Sequence, residues 1–357
     1  MAVPVIIVGS GHGLRVHLPA LRRVGFDVVG LVGNDAERTR RRARRAGIPG
    51  AFTDLGQAID ETGARAVTVA SPSSAHHPLV MTAIEHGCHV MCEKPFASNA
   101  GEAQSMCEAA ERAGVVNILG NQLRASPERI VGGRAIAEGL IGEPRYLTFV
   151  QHINMLAEPT LPWPAWWFDR QAGGGWLGAS GSHMIDHVRS WLGEFVSTSA
   201  SLSVSSQRSG DILEDTFIAR FALENGLEGV ITQCAAAWGP MAQMTRVIGT
   251  HGTLWLEDGK AFIADSTGTR ELPIPADLSL ERMEPSDNPR EKYLHVELPP
   301  SLKLFGAFYD AIENGGDVAP FATFHDGLQA MRVIDAIRES ARRGGECVAC
   351  DGVGSAG

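Results

Sequence analysis

Short apolar strands alternate with helical segments along the first third of the chain, and this alternation constrains the fold more than any other feature. The apolar runs are rich in β-branched residues and occupy residues 3–8, 27–32, 66–70, 88–92 and 115–119. Helical patterns lie between them at 15–24, 35–46, 79–86 and 99–113. Apolar strands joined by helices are typical of parallel sheets that are covered on both faces. We therefore predict a doubly wound α/β fold for this segment.

The pattern changes after about residue 122. The predicted elements are a helix at 127–139, a strand at 145–153, a loop at 157–176, a helix at 180–192 and helices near 303–314 and 325–343. Between 199 and 265 lie successive β-type runs with Gly- and Asn-containing turns, which favour an antiparallel sheet. The proline-rich stretch 273–300 predicts an irregular connection. We expect two domains: 1–122 with the parallel sheet, and 123–357 with an α+β fold on a large open, mostly antiparallel sheet.

Composition narrows the class of protein. The formal net charge of −10 argues against a dedicated nucleic-acid or anionic-membrane binder. No apolar run reaches about 18 residues, so we expect no membrane span. The N-terminus lacks the features of a secretory signal, and six cysteines without a disulfide framework fit a reducing compartment. We therefore expect a cytoplasmic protein.

A glycine-rich turn follows the first predicted strand and opens the first predicted helix. It comprises Gly9, Ser10, Gly11, His12, Gly13 and Leu14. Glycine lets the backbone turn tightly and approach a pyrophosphate, which the helix N-terminus then holds. Leu14 stands at the third glycine position of G-x-G-x-x-G, so the fingerprint is incomplete. Its place in an alternating β/α segment nevertheless predicts a dinucleotide site.

The end of the second strand bears on the choice between NAD and NADP. Asn34 and Asp35 follow it, and Asp35 comes slightly late for a carboxylate that binds the ribose 2′-hydroxyl. Arg38 begins a set of six arginines on the next helix. Such a set is most often a solvated helix face, although an arginine near the turn can pair with a 2′-phosphate. We expect Asn34 and Arg38 to contact the cofactor, and the arginines favour NADP.

Two further polar segments follow buried strands. Ser71, Pro72 and His76 come after the third strand, and Glu93 and Lys94 end the next one. Open α/β sheets bind ligands at the carboxyl ends of their strands, so we expect all five residues at the cofactor site. By itself, the Glu93-Lys94 pair is also compatible with a simple surface pair.

Lys94 is informative because lysine is rare in this chain. It is one of four lysines among 31 basic residues and the only one in the first 259 residues. Lysine can shift its pKa and exchange a proton, whereas arginine effectively cannot.

A second candidate site lies in a glycine-rich stretch, 173–181, and the helix that follows it. His183, Asp186 and His187 share one face of that helix by their spacing. His183 is either a structural histidine or a proton-transfer group acting with Asp186 or His187. No third ligand accompanies the two histidines, so we expect no metal site.

Four of the seven tryptophans lie close together in the loop before this helix: Trp163, Trp166, Trp167 and Trp176. Core packing most often explains such clusters, because indoles bury large areas. Loops also carry function, and flat indole faces suit the apolar face of a sugar ring. We predict that at least one of the four lines a substrate cleft beside His183, with Asp169 or Arg170 binding hydroxyls.

These motifs together resemble the glucose–fructose oxidoreductase / inositol dehydrogenase / MocA family. The segments that carry the resemblance are Gly9-x-Gly11 with His17, Ser71-Pro72 with His76, Glu93-Lys94-Pro95, Gly120 to Arg124, His183 with Asp186, and 323–336. They extend from Gly9 to about Gly345, which is nearly the whole chain.

The resemblance implies an NAD(P)-dependent oxidoreductase with an N-terminal Rossmann domain. It implies that the substrate is a sugar, polyol or related cyclic alcohol, and that Arg124 and the helix of His183 contact this substrate. It also implies a homodimer or homotetramer formed through the C-terminal sheet. The family's catalytic lysine corresponds to Lys94 and its catalytic histidine to His183.

One residue departs from the family pattern. Ala179 stands where the family typically has an aspartate that belongs to the proton-transfer set. The departure leaves two alternatives beside a dehydrogenase: a non-catalytic, dinucleotide-dependent regulator of the same fold, and a redox-assisted glycosidase.

Overall fold

The computed structural model describes residues 2–161, 163, 165–170, 172, 174–208, 213–288 and 291–351. The chain forms two compact units. The first consists of Met1–Ala97, Glu102–Ala125 and Leu280–Leu328. The second consists of Ser98–Gly101, Ser126–Ser279 and Gln329–Gly357. The domain boundary after residue 122 stays a prediction, and the late segment Leu280–Leu328 groups with the first unit.

The first unit is built on a six-stranded sheet in the order β3-β2-β1-β4-β5-β6. Its strands are β1 Pro4–Val8, β2 Asp27–Val32, β3 Gly50–Phe52, β4 Ala66–Val69, β5 His89–Cys92 and β6 Asn117–Leu119. All neighbouring strands pair in parallel. Every residue of β4 is buried, as expected for a strand covered on both faces. The predicted doubly wound parallel sheet is therefore confirmed.

The helices that join these strands are α1 Leu18–Val24, α2 Ala36–Ala46, α3 Leu55–Thr62, α4 His76–Glu85 and α5 Ala100–Ala113. A π-helical turn, Gly13–His17, leads directly into α1. The carboxylates of Asp35 and Asp54 cap α2 and α3, each accepting a backbone N–H at 2.7 Å. The sequence interpretation missed β3, whose three residues include no β-branched side chain, and it also missed α3.

The structure corrects the predicted irregular connection at 273–300. Helix α8 extends over Leu294–Asn314 and contains two prolines in its second turn. Leu298, Phe305 and Phe308 are buried in the same apolar core as β1 and α1. The free energy gained by burying this apolar face offsets the loss of the backbone hydrogen bonds that the prolines cannot donate. The helix therefore begins nine residues before the predicted start at 303.

The second unit is built on a nine-stranded sheet in the order β14-β13-β12-β11-β7-β10-β9-β8-β15. Its strands are β7 Pro144–His152, β8 Phe195–Ser203, β9 Thr216–Leu223, β10 Glu228–Cys234, β11 Ala242–Gly249, β12 Gly252–Glu257, β13 Lys260–Asp265, β14 Gly268–Leu272 and β15 Val348–Ala349. The β7–β10 pair is parallel, and all other pairs are antiparallel. This confirms the mostly antiparallel sheet.

Helices cover one face of the nine-stranded sheet. The remaining helices are α6 Pro127–Ala137, α7 Ser182–Leu192 and α9 Phe324–Arg342, the last entering this unit at Gln329. In β9, Phe217 and Phe221 are buried while Ile218 is exposed, so one face of the sheet is covered and the other is open. Among the described helices, none is both long enough and apolar enough to cross a bilayer.

The burial along α8 generates a stability prediction. Phe308 is 0% exposed, so Phe308→Ala should lower the free energy of unfolding by about 3–5 kcal/mol. Val296 lies on the same helix and is 53% exposed, so Val296→Ala should change it by less than about 0.5 kcal/mol. Urea unfolding of both variants measures the difference, and equal effects would contradict the placement of α8 in the core.

Candidate active site

The glycine-rich loop after β1 packs tightly against the sheet. Gly9 has φ of 102°, and a Cβ there would lie 2.4 Å from the Ala70 carbonyl oxygen. A Cβ at Gly13 would lie 2.7 Å from the Ile7 side chain. Gly13 therefore provides the close helix–strand contact that the third glycine of G-x-G-x-x-G usually provides, and that Leu14 replaces here. A Cβ at Gly11, by contrast, would meet nothing within 4 Å. The loop thus has one packed side and one open side, and it fits a pyrophosphate at the start of a helix.

Two arginines of α2 reach back toward the ends of β1 and β2. Arg38 donates a hydrogen bond to Asn34 Oδ1, and Arg42 donates to Ser10 Oγ and, at 3.3 Å, to the Ser10 carbonyl. Asp35 accepts the Arg38 backbone N–H, so its carboxylate caps the helix. The sequence interpretation named Arg38 and did not distinguish Arg42, which lies one turn further along the helix.

His76 joins the loops that follow β4 and β5. Its Nε2 lies 2.9 Å from the Ser71 carbonyl oxygen, and its Nδ1 lies 3.1 Å from the Phe96 carbonyl oxygen. Burial lowers the pKa of His76, while the two carbonyl contacts act in the opposite direction. Ser71, Pro72 and His76 therefore lie at the carboxyl edge of the sheet, and their contact with a cofactor stays a prediction.

Glu93 is the centre of a polar cluster at the same edge. His17 Nε2 lies 3.1 Å from its Oε1, and His12 Nε2 lies 3.5 Å from the same atom. A Cβ at Gly120 would lie 2.8 Å from the carboxylate, so only glycine leaves room there. Burial alone would raise the pKa of Glu93, but the two histidines outweigh it and hold that pKa well below its usual range.

The same three side chains have the geometry of a metal-binding group. The ligand atoms of His12, His17 and Glu93 all lie within 4.8 Å of one another. However, Arg15 Nη2 lies 3.1 Å from His12 Nδ1, and a guanidinium can only donate. The proton of a neutral His12 therefore resides on Nε2, the atom that faces Glu93. This arrangement favours hydrogen bonding to the carboxylate over coordination of an ion.

Lys94 follows Glu93 and is half-buried. Burial lowers the pKa of its amine, while the carboxylates of Glu93 and Glu297 act in the opposite direction. The amine is thus held closer to a proton-exchanging state than a surface lysine. Arg124, in contrast, forms an ion pair with Asp326 at 2.9 Å and donates to the Pro320 carbonyl at 3.3 Å.

In the second unit, α7 begins after a π-helical turn, Leu177–Gly181, that contains Ala179. His183, Asp186 and His187 lie on α7 and are buried. The His187 ring packs edge-on against Trp191, with ring centroids 4.2 Å apart, and against Phe149, with centroids 6.0 Å apart. The negative charge of Asp186 opposes the lowering of the Arg129 pKa that burial causes.

Glu214 supports the start of this helical segment, although no sequence motif indicates it. Gly175 has φ of 102°, and a Cβ there would lie 2.2 Å from Glu214 Oε1. The backbone N–H of Trp176 donates to the backbone carbonyl of Glu214 at 3.0 Å. Burial raises the pKa of Glu214. Gly173, which the sequence interpretation included in this stretch, lies outside the described residues.

The four tryptophans form a connected aromatic layer. Ring centroids are 4.8 Å apart for Trp163 and Trp167, 5.8 Å for Trp166 and Trp167, and 6.0 Å for Trp167 and Trp176. Trp163 Nε1 donates to the Met155 carbonyl at 3.1 Å. The Asp169 carbonyl accepts the Gly174 N–H at 2.8 Å, which joins the layer to the glycine-rich stretch.

A row of glutamine side chains was also missed by the sequence interpretation. Gln243, Gln151 and Gln233 are register partners on β11, β7 and β10. Gln151 Nε2 donates to Gln243 at 2.9 Å, and Gln151 Oε1 accepts from Gln233 at 2.6 Å and from Ser180 Oγ at 3.1 Å. The row thus ties three strands to the turn that precedes α7. Each strand contributes a single glutamine, and nothing in the sequence indicates that these three side chains are hydrogen-bonded to one another.

Comparison with protein families gives two matches that together cover most of the chain. The Gfo/Idh/MocA oxidoreductase family profile for the NAD-binding Rossmann fold matches residues 3–121. The profile for the C-terminal alpha/beta domain of the same family matches residues 134–349.

Curated relatives include sugar-converting enzymes. Levoglucosan dehydrogenase of Pseudarthrobacter phenanthrenivorans is 28% identical over 337 residues, covering 84% of each chain. D-apiose dehydrogenase of Paraburkholderia graminis is 26% identical over 354 residues, covering 95% of this chain and 87% of the relative. 1,5-Anhydro-D-fructose reductase of Ensifer adhaerens is 28% identical, covering 91% of this chain and 92% of the relative.

Solved structures agree in fold. A levoglucosan dehydrogenase in complex with NADH and levoglucosan superposes with a TM-score of 0.84 at 24% identity, covering 98% of this chain and all of the other. An oxidoreductase domain protein from Kribbella flavida has the same TM-score of 0.84 at 25% identity, covering 98% of this chain and 99% of the other.

The burial of His187 generates a pH prediction. Burial, followed by the charge of Arg129, holds the pKa of His187 well below its usual value of 6.5. The unfolded chain binds a proton below that value and the folded chain does not, so the stability that neutral His187 contributes is lost as pH falls. The stability difference between the wild type and His187→Gln should therefore shrink between about pH 7.5 and about pH 5.5.

Chemical denaturation at several pH values measures this difference. The same substitution at exposed His251 controls for the loss of an imidazole. A difference for His187→Gln that stays constant across the range would contradict a buried neutral ring.

Proposed function

Since the chain belongs to the Gfo/Idh/MocA family of NAD-binding oxidoreductases, we propose that it transfers a hydride between nicotinamide and a carbinol or carbonyl carbon of a sugar, polyol or related cyclic alcohol. The observation that carries the proposal is Lys94. This amine lies at the carboxyl edge of the dinucleotide-type sheet, and burial lowers its pKa. The named sugar dehydrogenases among the relatives support the substrate class.

The proposed chemistry divides between the cofactor and the chain. The dinucleotide supplies the redox step by exchanging a hydride at its nicotinamide ring. Lys94 donates a hydrogen bond to the substrate oxygen and stabilises the alkoxide, because its ammonium offers positive charge where negative charge develops. His183 accepts the alcohol proton as general base. With Ala179 at the aspartate position, these two side chains form the proton-transfer set.

For the cofactor, we propose a preference for NADP over NAD. Arg38 and Arg42 bring two guanidinium groups to Asn34 and Ser10, at the place where the adenosine ribose of a dinucleotide lies in this fold. The carboxylate of Asp35 is engaged in capping α2. Guanidinium groups pair well with phosphate, whereas a free carboxylate would favour the 2′-hydroxyl of NAD. One relative is a D-xylose 1-dehydrogenase that uses NADP(+).

For the substrate, we propose that the tryptophan layer provides an apolar face for a sugar ring, with Asp169 taking hydroxyls. The layer is joined to the glycine-rich stretch before α7, which supports a location near His183. Arg124, Asp186 and His187 stay candidate substrate contacts, although the ion pair of Arg124 and the aromatic packing of His187 give both side chains structural roles.

For assembly, we propose a homodimer or homotetramer that forms through the nine-stranded sheet in the cytoplasm. The sheet face opposite α7 carries exposed apolar side chains, including Tyr146, Ile218 and Ile248. Apolar side chains gathered on one open sheet face favour association.

A non-catalytic regulator is the second candidate, and Ala179 is the observation that favours it. Such a protein would bind the dinucleotide and a protein partner and turn over none of the sugars tested. A redox-assisted glycosidase would instead cleave an aryl glycoside with no net change in the cofactor.

The role of Lys94 and His183 yields a kinetic prediction. On a sugar or cyclic alcohol that changes nicotinamide absorbance, Lys94→Ala and His183→Ala should each lower kcat/KM by about 10²–10⁴-fold, as expected for loss of acid–base groups. Lys260→Ala, at a surface ion pair with Glu271, should leave it unchanged. Full turnover by both site variants would reject the assignment, and tight dinucleotide binding without turnover over a broad panel would favour the regulator.

The cofactor proposal yields a separate prediction. Arg38→Met and Arg42→Met should each lower the ratio of kcat/KM for NADP over NAD by about tenfold or more, since a charge-assisted hydrogen bond contributes roughly 1.5–3 kcal/mol. Arg45→Met, an exposed residue of the same helix, is the matched control and should leave the ratio unchanged. A wild-type enzyme that prefers NAD would overturn the proposal directly.

A further inference from the structure

Arg208 holds the chain at three points along the segment 158–168, which carries three of the four tryptophans of the tryptophan layer. Its Nη1 donates to the Glu158 carbonyl at 2.9 Å, and its Nη2 donates to the Leu161 carbonyl at 2.5 Å. Its guanidinium carbon lies 5.3 Å from the centre of the Phe168 ring, within the range of a cation–π contact. A guanidinium presents its N–H donors in one rigid plane, so a single side chain fixes two carbonyls and a ring at once.

The turn that leads to Arg208 is itself anchored to the nine-stranded sheet by Asp215. The Asp215 side chain is 1% exposed, and its carboxylate accepts the backbone N–H groups of Ser205 at 2.7 Å and Ser206 at 2.9 Å. It also accepts the Thr216 hydroxyl at 2.9 Å. The backbone of Asp215 is hydrogen-bonded to the last residue of β8 and to the residue after β10. A buried carboxylate with three donors is firmly held, so the turn has a fixed position two residues before Arg208.

The residue before Asp215 holds the other end of the tryptophan layer. The Glu214 carbonyl accepts the backbone N–H of Trp176 at 3.0 Å. Trp167 is the ring that Trp176 and the other two indoles of the layer contact. The connection between β8 and β9 therefore contacts the chain on both sides of the layer, through Arg208 before it and through Glu214 after it.

We propose that Arg208 is a positioning residue that holds the tryptophan layer in a single arrangement and thereby sets the face that the layer offers to a sugar ring. The segment depends on such a contact because it contains three prolines, at 159, 162 and 164, which donate no backbone hydrogen bond. The consequence for sugar binding rests on the proposed function, whereas the positioning of the layer does not.

The indole N–H groups report on this positioning without any substrate. Labelled tryptophan gives seven indole NMR signals, which single Trp→Phe variants identify. The Trp163 indole donates to the Met155 carbonyl at 3.1 Å, and the Trp191 indole of α7 donates to the Arg129 carbonyl at 3.2 Å. Arg208→Met should speed exchange of the Trp163 indole hydrogen with solvent about tenfold or more, because the segment opens locally when two charge-assisted hydrogen bonds are lost. The Trp191 indole hydrogen should exchange at the wild-type rate.

Two further variants separate the shape of the guanidinium from its charge. Arg208→Lys keeps the positive charge but lacks the planar fork, so Trp163 should exchange as fast as it does in Arg208→Met. Arg220→Met removes an exposed arginine of β9 that pairs with Glu228 at 2.9 Å, and this matched control should leave Trp163 unchanged.

Steady-state kinetics measures the consequence for the proposed function. On a sugar or cyclic alcohol that the wild type turns over, Arg208→Met should raise KM for that substrate about tenfold, because the layer then adopts its binding arrangement for only a fraction of the time. The kcat and the Kd of the dinucleotide should stay at their wild-type values.

Faster exchange at Trp163 in both Arg208→Met and Arg208→Lys, with Trp191 constant, would support the proposal. Unchanged exchange at Trp163, an equal increase at Trp191, or wild-type exchange in Arg208→Lys would overturn it. If exchange at Trp163 rises and KM does not, the contribution to sugar binding is overturned, and with it the place of the layer in the proposed function. The positioning role of Arg208 is then upheld by the exchange rates alone.

Discussion

The buried carboxylate of Glu93 is the interaction on which the first unit's site depends. It directly follows β5, its Oε1 lies 3.1 Å from His17 Nε2 and 3.5 Å from His12 Nε2, and it fills the space left by the missing side chain of Gly120 after β6. A buried charge is costly unless it is paired, so each of these contacts is needed for the others to form. The same carboxylate accepts a hydrogen bond from the Lys94 backbone N–H at 3.3 Å, which orients the backbone at Lys94.

Five of the six strands of the first unit could be predicted, all but β3, because the pattern that marks a buried strand lies within the strand itself. A β-branched run such as 3–8 or 66–70 is recognisable without its partners, and its burial follows from the parallel sheet. Helix α8 could not be predicted in full, because Pro299 and Pro300 argue against a helix locally. The burial of Leu298 and Phe305 in a core more than 200 residues away along the chain outweighs that local preference.

The site shows the same division between local and distant information. Lys94 and the glycine-rich loop stand out in the sequence because their residue types are uncommon at such positions. Glu214 and Glu297 are ordinary carboxylates in the sequence, and their importance comes from partners distant along the chain, Gly175 for one and Arg15 for the other. A single sequence shows which ionisable side chains are present, and only the folded structure shows which of them contact one another.

The two units differ in how they use charge. In the first, the Glu93 carboxylate lies beside His12 and His17, and Arg15 pairs with Glu297. In the second, Ala179 replaces the family's aspartate, and the neighbouring polar contacts of Ser180 are neutral amides. Neutral amides orient hydroxyl groups but do not accept a proton at ordinary pH. The turn that precedes α7 therefore has neutral side-chain partners at Ser180, whereas the carboxyl edge of the six-stranded sheet has the buried carboxylate of Glu93.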